Sequence, residues 1–145
     1  MTPSPYIVGV GAANADIHGR SRAAVNLMDS NPGTMRVSVG GVTRNILENA
    51  ARLGLDARLV SAVGGDVFGR LILARSAAAG MDVSNVLVLP DAASSTYMTV
   101  LEPSGEMFVA VSDMSILAQL PEAYLAERVP LLHGAAAIAC DPSLP

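Results

Sequence analysis

Two glycine pairs set a rhythm in the middle of this chain that few architectures accept. Gly40-Gly41 opens Val42-Thr43-Arg44-Asn45 and an Ala- and Leu-rich stretch that stops at Gly54, and Gly64-Gly65-Asp66-Val67-Phe68-Gly69 opens a second stretch that stops at Gly80. The spacing over 43–53 predicts a helix with Ile46, Leu47, Ala50, Ala51 and Leu53 on one side, and glycine is the usual residue just past a helix end. Residues 6–11, 57–63 and 86–89 read as short buried strands, with a second helix over 67–79. Strands alternating with helices imply right-handed parallel crossovers, hence an α/β, doubly wound, Rossmann-like sheet.

Composition agrees. Hydrophobic residues make up 51% of the 145-residue chain and aromatics only 3%, so the core must be Ala, Val, Leu, Ile and Met, the usual filling of a helix-covered parallel sheet. A net charge of -4 gives no basic footprint for nucleic acid. The single cysteine, Cys140, excludes an internal disulfide and a multi-cysteine metal site, and its apolar run predicts a buried, inert thiol. The first residues have neither a basic n-region nor a long apolar stretch after them, so we expect no signal peptide, no membrane span and a cytoplasmic protein. His18 and His133 lack partners at metal-ligand spacing, which predicts structural or exposed roles and no metal site.

Outside the strand and helix alternation, the pattern turns to period 2. Residues 17–39 carry the turn signal Asp29-Ser30-Asn31-Pro32-Gly33 before an alternating 35–39 run, and 94–101 with 107–112 flank the loop Glu102-Pro103-Ser104-Gly105-Glu106 as a hairpin. These segments predict a small β-sheet with one face exposed. A helix is predicted over 121–129 with Pro121 in its first turn, and a buried strand over 135–140. A sheet that ends at this strand has no helix over its newest face, so we expect the N-terminal part of a longer domain, incomplete at the C-terminus.

Ligands of open α/β sheets bind beyond the carboxyl ends of the strands, which is where Asn14 and Asp16 fall. Gly40 and Gly41 let backbone approach a ligand, and Asn45 in a first helical turn adds a carboxamide to the helix amides, although the same residues would also serve a tight turn. A carboxylate such as Asp16 accepts from two vicinal hydroxyls, while a carboxamide both donates and accepts. A solvated strand-end carboxylate is the other reading of Asp16. Asp66 reads as the N-cap of the second helix. Asp113 follows the hairpin, and Asp141 ends the last strand, where Asp-Pro also makes a turn. The run Val8-Gly9-Val10-Gly11-Ala12-Ala13-Asn14 is a poor dinucleotide fingerprint, because Asn14 replaces the third glycine and no helix with an acidic residue beyond it follows.

Asn14-x-Asp16, the polar lid, Gly40-Gly41-x-x-x-Asn45 and Gly65-Asp66-x-x-Gly69 together resemble the N-terminal part of the phosphofructokinase-B, or ribokinase-like, carbohydrate kinases. Within that family the stretches Asp29-Ser30-Asn31-Pro32-Gly33, Gly41-Val42-x-Arg44-Asn45-Ile46, Leu59-x-Ser61-Ala62-Val63-Gly64 and Gly105-Glu106-Met107 through Asp113-Met114 look most like bacterial pseudouridine kinases. The resemblance implies a β lid from segments 17–39 and 94–112 that often pairs two subunits, hence a homodimer. It also implies a sugar or nucleoside substrate held by Asn14, Asp16, Gly40, Gly41 and Asn45, with Asp113 and Asp141 as further acidic candidates. ATP and Mg2+ are implied, with their sites largely outside this chain, and a monovalent cation is allowed. The Gly-Ala-Gly-Asp-type segment that carries the family's catalytic base has no counterpart here, so no catalytic residue is expected in these 145 residues. Another sugar kinase of the family and a noncatalytic binding or dimerising fragment are the alternatives.

Overall fold

A computed structural model describes residues 5–144. Four parallel strands form the main sheet, in the order β5-β4-β1-β8, from β1 (Tyr6–Val10), β4 (Asp56–Gly64), β5 (Val86–Leu89) and β8 (Ala137–Cys140). The second sheet, β3-β2-β6-β7, contains β2 (Asn14–Ser21), β3 (Gly33–Gly40), β6 (Thr96–Leu101) and β7 (Met107–Asp113). Its two outer pairs are antiparallel, and the central β2/β6 pair is parallel. The doubly wound sheet with a small β lid is thus present.

Helices α1 (Val42–Arg52) and α2 (Val67–Ala78) cover one face of the main sheet, where Leu47, Ala50, Leu59, Val63, Ile72 and Met81 form a core. On the other face Val8, Val10 and Val60 meet Tyr124, Leu125, Leu131 and Leu132 from α3 (Glu122–Ala126) and α4 (Val129–His133). A 3-10 turn at Ser115–Gln119, not foreseen from sequence, adds buried Ile116 and Leu117 to the core beneath Ala12 and Ala62.

Three expectations are corrected. In α1 the buried arc runs around the helix from Ala50 through Thr43 and Leu47 to Arg44, so Ile46 falls just outside its edge, and Ile46 and Leu53 are exposed. The helix expected over 121–129 is two short helices: Pro130 has no amide to bond the Ala126 carbonyl, so α3 stops and α4 opens around the proline. Cys140 is exposed, because β8 has a neighbouring strand on one side only and Ile138 beside it is open as well. No helix among the described residues is long and apolar enough to cross a membrane.

The lid has two unlike faces. Cross-strand partners share a face, so the rows Val37, Ile17, Met98, Val111 and Met35, Gly19, Val100, Val109 make one apolar side. Met35, Val37, Met98, Val109 and Val111 are each more than two-fifths exposed. The opposite side carries Ser38, Asp16, Tyr97 and Ser112 in one row and Arg36, His18, Thr99 and Ala110 in the next. There His18 Nδ1 lies 2.6 Å from the buried Thr99 hydroxyl, a structural role for the histidine.

Candidate substrate site

The chain leaves β1 at Val10 and enters β2 at Asn14, with Asn14 already paired to Gly40 in the lid ladder. Asn14 is buried, and its Nδ2 donates to Asp16 Oδ1 at 2.6 Å. This bond aims the carboxylate over the glycine pair. A Cβ on Gly40 would stand 2.1 Å from Asp16 Oδ2, so the missing side chain is the space the carboxylate occupies. Gly41 has φ +105 and a Cβ there would stand 2.3 Å from the Ala12 carbonyl oxygen; only glycine combines that backbone with that approach. Asn14, Asp16, Gly40 and Gly41 therefore converge at one point, where β1, the lid and α1 meet.

Asn45 stands one turn into α1, its amide bonded to the Gly41 carbonyl at 2.8 Å. Its side chain is exposed and its Oδ1 accepts from Arg44 Nη1 at 3.0 Å, so the carboxamide presents its NH2 group as a donor. The expectation that first-turn amides greet the ligand needs correcting, because two are already engaged. Arg44 N donates to the Ala12 carbonyl at 3.2 Å and Thr43 N to Asp141 Oδ2 at 3.3 Å.

Asp141 is turned inward. Its Oδ2 accepts from the Thr43 hydroxyl at 2.6 Å and from Ala12 N at 2.8 Å, while Oδ1 accepts from Ser143 N at 2.9 Å. Burial pushes this carboxyl up, but the bonds from Thr43, Ala12 and Ser143 outweigh burial and hold it below the ordinary 3.8. It braces the floor on which the Asp16 cluster stands. Asp113 is not brought to the cluster: it shares a row with Thr96 and Ala15, on the lid face opposite Asp16, and its carboxylate accepts from Ser115 N at 3.0 Å.

Asp66 caps α2 as read from sequence, accepting from Gly69 N at 2.7 Å, and it also takes Ser94 N at 2.9 Å and Ser94 Oγ at 2.6 Å. Burial opposes its ionisation, and the Ser94 and helix-end bonds override it, so its pKa too is lowered. Sequence reasoning missed Thr43, Ser61 and Ser94. Ser61 Oγ donates to the Gly11 carbonyl at 2.6 Å, and Ser94 Oγ accepts from Gly64 N at 2.9 Å. Small hydroxyl residues inside apolar runs and at segment joints were the available signal.

The pfkB family carbohydrate kinase model matches residues 4–145. The chain belongs to that family. It is 39% identical over 141 residues to the pseudouridine kinase of Escherichia coli (strain K12), covering 97% of this chain and 45% of that protein. It is 30% identical over 135 residues to the guanosine-inosine kinase of Exiguobacterium acetylicum, covering 93% of this chain and 45% of the relative. Among solved structures, a carbohydrate kinase from Agrobacterium tumefaciens superposes with a TM-score of 0.88 at 27% identity, over 97% of this chain and 46% of that one. The ribokinase of Arabidopsis thaliana complexed with ribose and ATP gives 0.88 at 20% identity over 99% of this chain and 47% of that one, which speaks for the fold. The chain spans slightly under half the length of the relatives it matches.

Proposed function

We propose that these residues form the substrate-binding part of an ATP-dependent kinase that phosphorylates a ribosyl compound, with the 5′-hydroxyl of pseudouridine as the acceptor. The observation that carries this reading is the Asp16 carboxylate, oriented by buried Asn14 into the space that Gly40 leaves, in a chain 39% identical to a pseudouridine kinase. Asp16 accepts from vicinal ribose hydroxyls, Asn45 donates through its NH2 group, and Gly41 keeps the backbone close. Asp141 braces this floor from below, and the polar lid face with Asp16, Tyr97 and His18 forms the roof.

Among the described residues no group of three or more His, Cys, Asp or Glu side chains is arranged to hold a metal ion. In this reading the sites for ATP and Mg2+ lie largely outside these residues, whose part is to bind and orient substrate, and none is assigned as the base. A lid-mediated homodimer in the cytoplasm belongs to the same reading: the exposed apolar lid face with Met98 and Val111 suits a second copy. A purine ribonucleoside is the second substrate reading, supported by the 30% identity to guanosine-inosine kinase.

A substrate panel with the full-length protein, ATP and Mg2+ tests the assignment. Pseudouridine should give the highest kcat/KM among pseudouridine, guanosine, ribose and fructose 6-phosphate. A higher value for ribose or fructose 6-phosphate would sink the nucleoside assignment, and a higher value for guanosine would install the second reading.

A further inference from the structure

Beside the Asp16 cluster, the edge of β3 and the facing sides of α1 and α2 enclose a cleft of about 590 Å³, lined by Arg36, Arg44, Arg52 and Arg75 together with Glu48. Four of the chain's nine basic residues thus line one cleft with a single carboxylate, in a chain whose net charge is -4. None of Asn14, Asp16, Gly41 or Asn45 lines this cleft, although it adjoins their cluster: Ser38 in its wall is the cross-strand partner of Asp16, and Arg44 donates to Asn45 Oδ1.

Helix ends explain part of the cluster and leave the rest. Arg52 and Arg75 lie in the last turns of α1 and α2, where a cation suits the helix dipole. Arg44 has the opposite placement: it is 2% exposed in the first turn of α1, at the positive end of the dipole, with no acidic residue in that turn. A buried guanidinium is costly unless paired. Its Nε donates to Ser76 Oγ at 3.2 Å, and it pairs with Glu48, but Glu48 is shared with Arg52, whose Nε lies 2.9 Å away. The hydrogen bond from Arg52, together with the charges of both arginines, keeps the Glu48 carboxyl ionised below its ordinary range despite some burial. One carboxylate therefore serves two guanidiniums, while Arg36 and Arg75 make no ion pair or side-chain hydrogen bond among the described residues.

We propose that this cleft is a binding site for a phosphate-bearing anion, with Arg36 and Arg75 as its direct ligands and Arg44 and Arg52 supplying the field behind them. Guanidinium groups match phosphate oxygens through paired N–H donors, and several arginines around one anion are the usual recognition device. The volume admits inorganic phosphate, diphosphate or the phosphate end of a small ester. The cleft adjoins the substrate cluster but shares none of its proposed ligands, so the proposal stands whichever ribosyl compound the protein phosphorylates.

Isothermal titration of the full-length protein with inorganic phosphate, diphosphate and ribose 5-phosphate, each at ionic strength matched with chloride, tests it. At least one probe should bind saturably, and R36Q/R75Q should weaken that binding at least tenfold. R58Q should leave it unchanged, because Arg58 pairs with Asp56 and stacks on Tyr6 elsewhere. Preference for diphosphate would identify a free polyphosphate ligand, and preference for ribose 5-phosphate an ester; either supports the site. If the double variant melts early, R75Q alone replaces it, since Arg75 is exposed. No binding of any probe, or isotherms that coincide for wild type and variant, would overturn the proposal.

Discussion

Replacing Asp141 separates a brace from a substrate ligand. In D141A the buried Thr43 hydroxyl and the amides of Ala12 and Thr43 lose their acceptor together. A buried donor left unpaired costs about 1–3 kcal/mol, and water reaching the gap recovers part of this, so we expect D141A to lose about 2–5 kcal/mol of stability. D141N keeps one acceptor oxygen for Thr43 and Ala12 but loses the charge-assisted part, and should lose about 1–2 kcal/mol. The pH dependence follows from the lowered pKa. The folded carboxyl titrates below its ordinary 3.8, so the unfolded chain takes up the proton first as pH falls. The stabilisation is therefore complete above the unfolded pKa and is lost as pH falls through the folded value. Urea unfolding followed by circular dichroism from pH 7 to pH 3 measures both effects. Wild type should lose stability over the acid limb more steeply than D141N, and the two curves should draw together at the lowest pH. If D141N instead unfolds like wild type at every pH while substrate binding collapses, Asp141 faces the ligand and the brace is refuted.

In the full-length protein, D16N and N45A should each cost about 1–3 kcal/mol in kcat/KM for the nucleoside with ATP affinity unchanged, because each removes one polar partner of the substrate. Equal loss of ATP affinity would move these residues out of the substrate site. G40A should act on Asp16 without touching it chemically: its Cβ would stand 2.1 Å from Oδ2, so KM should rise while the melting temperature barely moves, and unchanged kinetics would refute the space argument. M98E/V111E places two charges on the apolar lid face and should convert a dimer to monomers in light scattering; a wild-type protein that is already monomeric refutes the lid dimer.

The local punctuation of the chain was readable where one residue type has one physical use. Gly54 and Gly80 end their helices at positive φ, and Asp66 caps α2, as their positions predicted. The period-2 runs fall in β3, β6 and β7, but β2 begins at Asn14, three residues before the expected lid segment, so Asn14 and Asp16 lie within a lid strand rather than in a loop past β1. What sequence could not show are pairings between distant residues. Thr43 and Asp141 are 98 positions apart, and no local pattern marks a hydroxyl and a carboxylate that meet only once β8 docks beside β1. For the same reason Asp141 read as a candidate ligand: a carboxylate at a strand end looks alike whether it points outward or is turned onto a loop. Asn14 and Asp16 stand out in the sequence because open sheets bind ligands near strand ends, but their mutual bond and the use of Gly40 as space needed the fold. Cys140 misled because an apolar run predicts burial only when its strand has neighbours on both sides, and β8 is an edge strand.

The two inward carboxylates have a mechanical consequence for the lid. Asp141 ties Ala12, at the root of β2, to Thr43, just beyond β3; Asp66 ties Ser94, at the root of β6, to α2. Ser95 adds a backbone bond, its carbonyl accepting from Ala15 N at 2.9 Å. The lid strands that arise from the main sheet, β2 and β6, are thus pinned at their bases by polar bonds, buried at Asp141 and half-buried at Asp66. At the far end, residues 22–32 form no strand, Leu27 and Met28 are exposed, and the turn between β6 and β7 is held by Arg20 on the Pro103 carbonyl and by short local bonds. Opening free energies follow buried contacts and protected hydrogen bonds, so the lid should bend from its tip while its roots and Asp16 stay in place. Hydrogen exchange read by mass spectrometry should show protection of 12–16, 40–45 and 94–97 close to that of β4, with rapid exchange over 22–32 and 102–106. D66A should then raise exchange at 94–97 and leave 12–16 protected, whereas D141A should do the reverse. Uniform exchange across the lid, or roots that open as readily as the tip, would show that the carboxylates do not anchor it and that substrate closure must involve the whole sheet moving as one body.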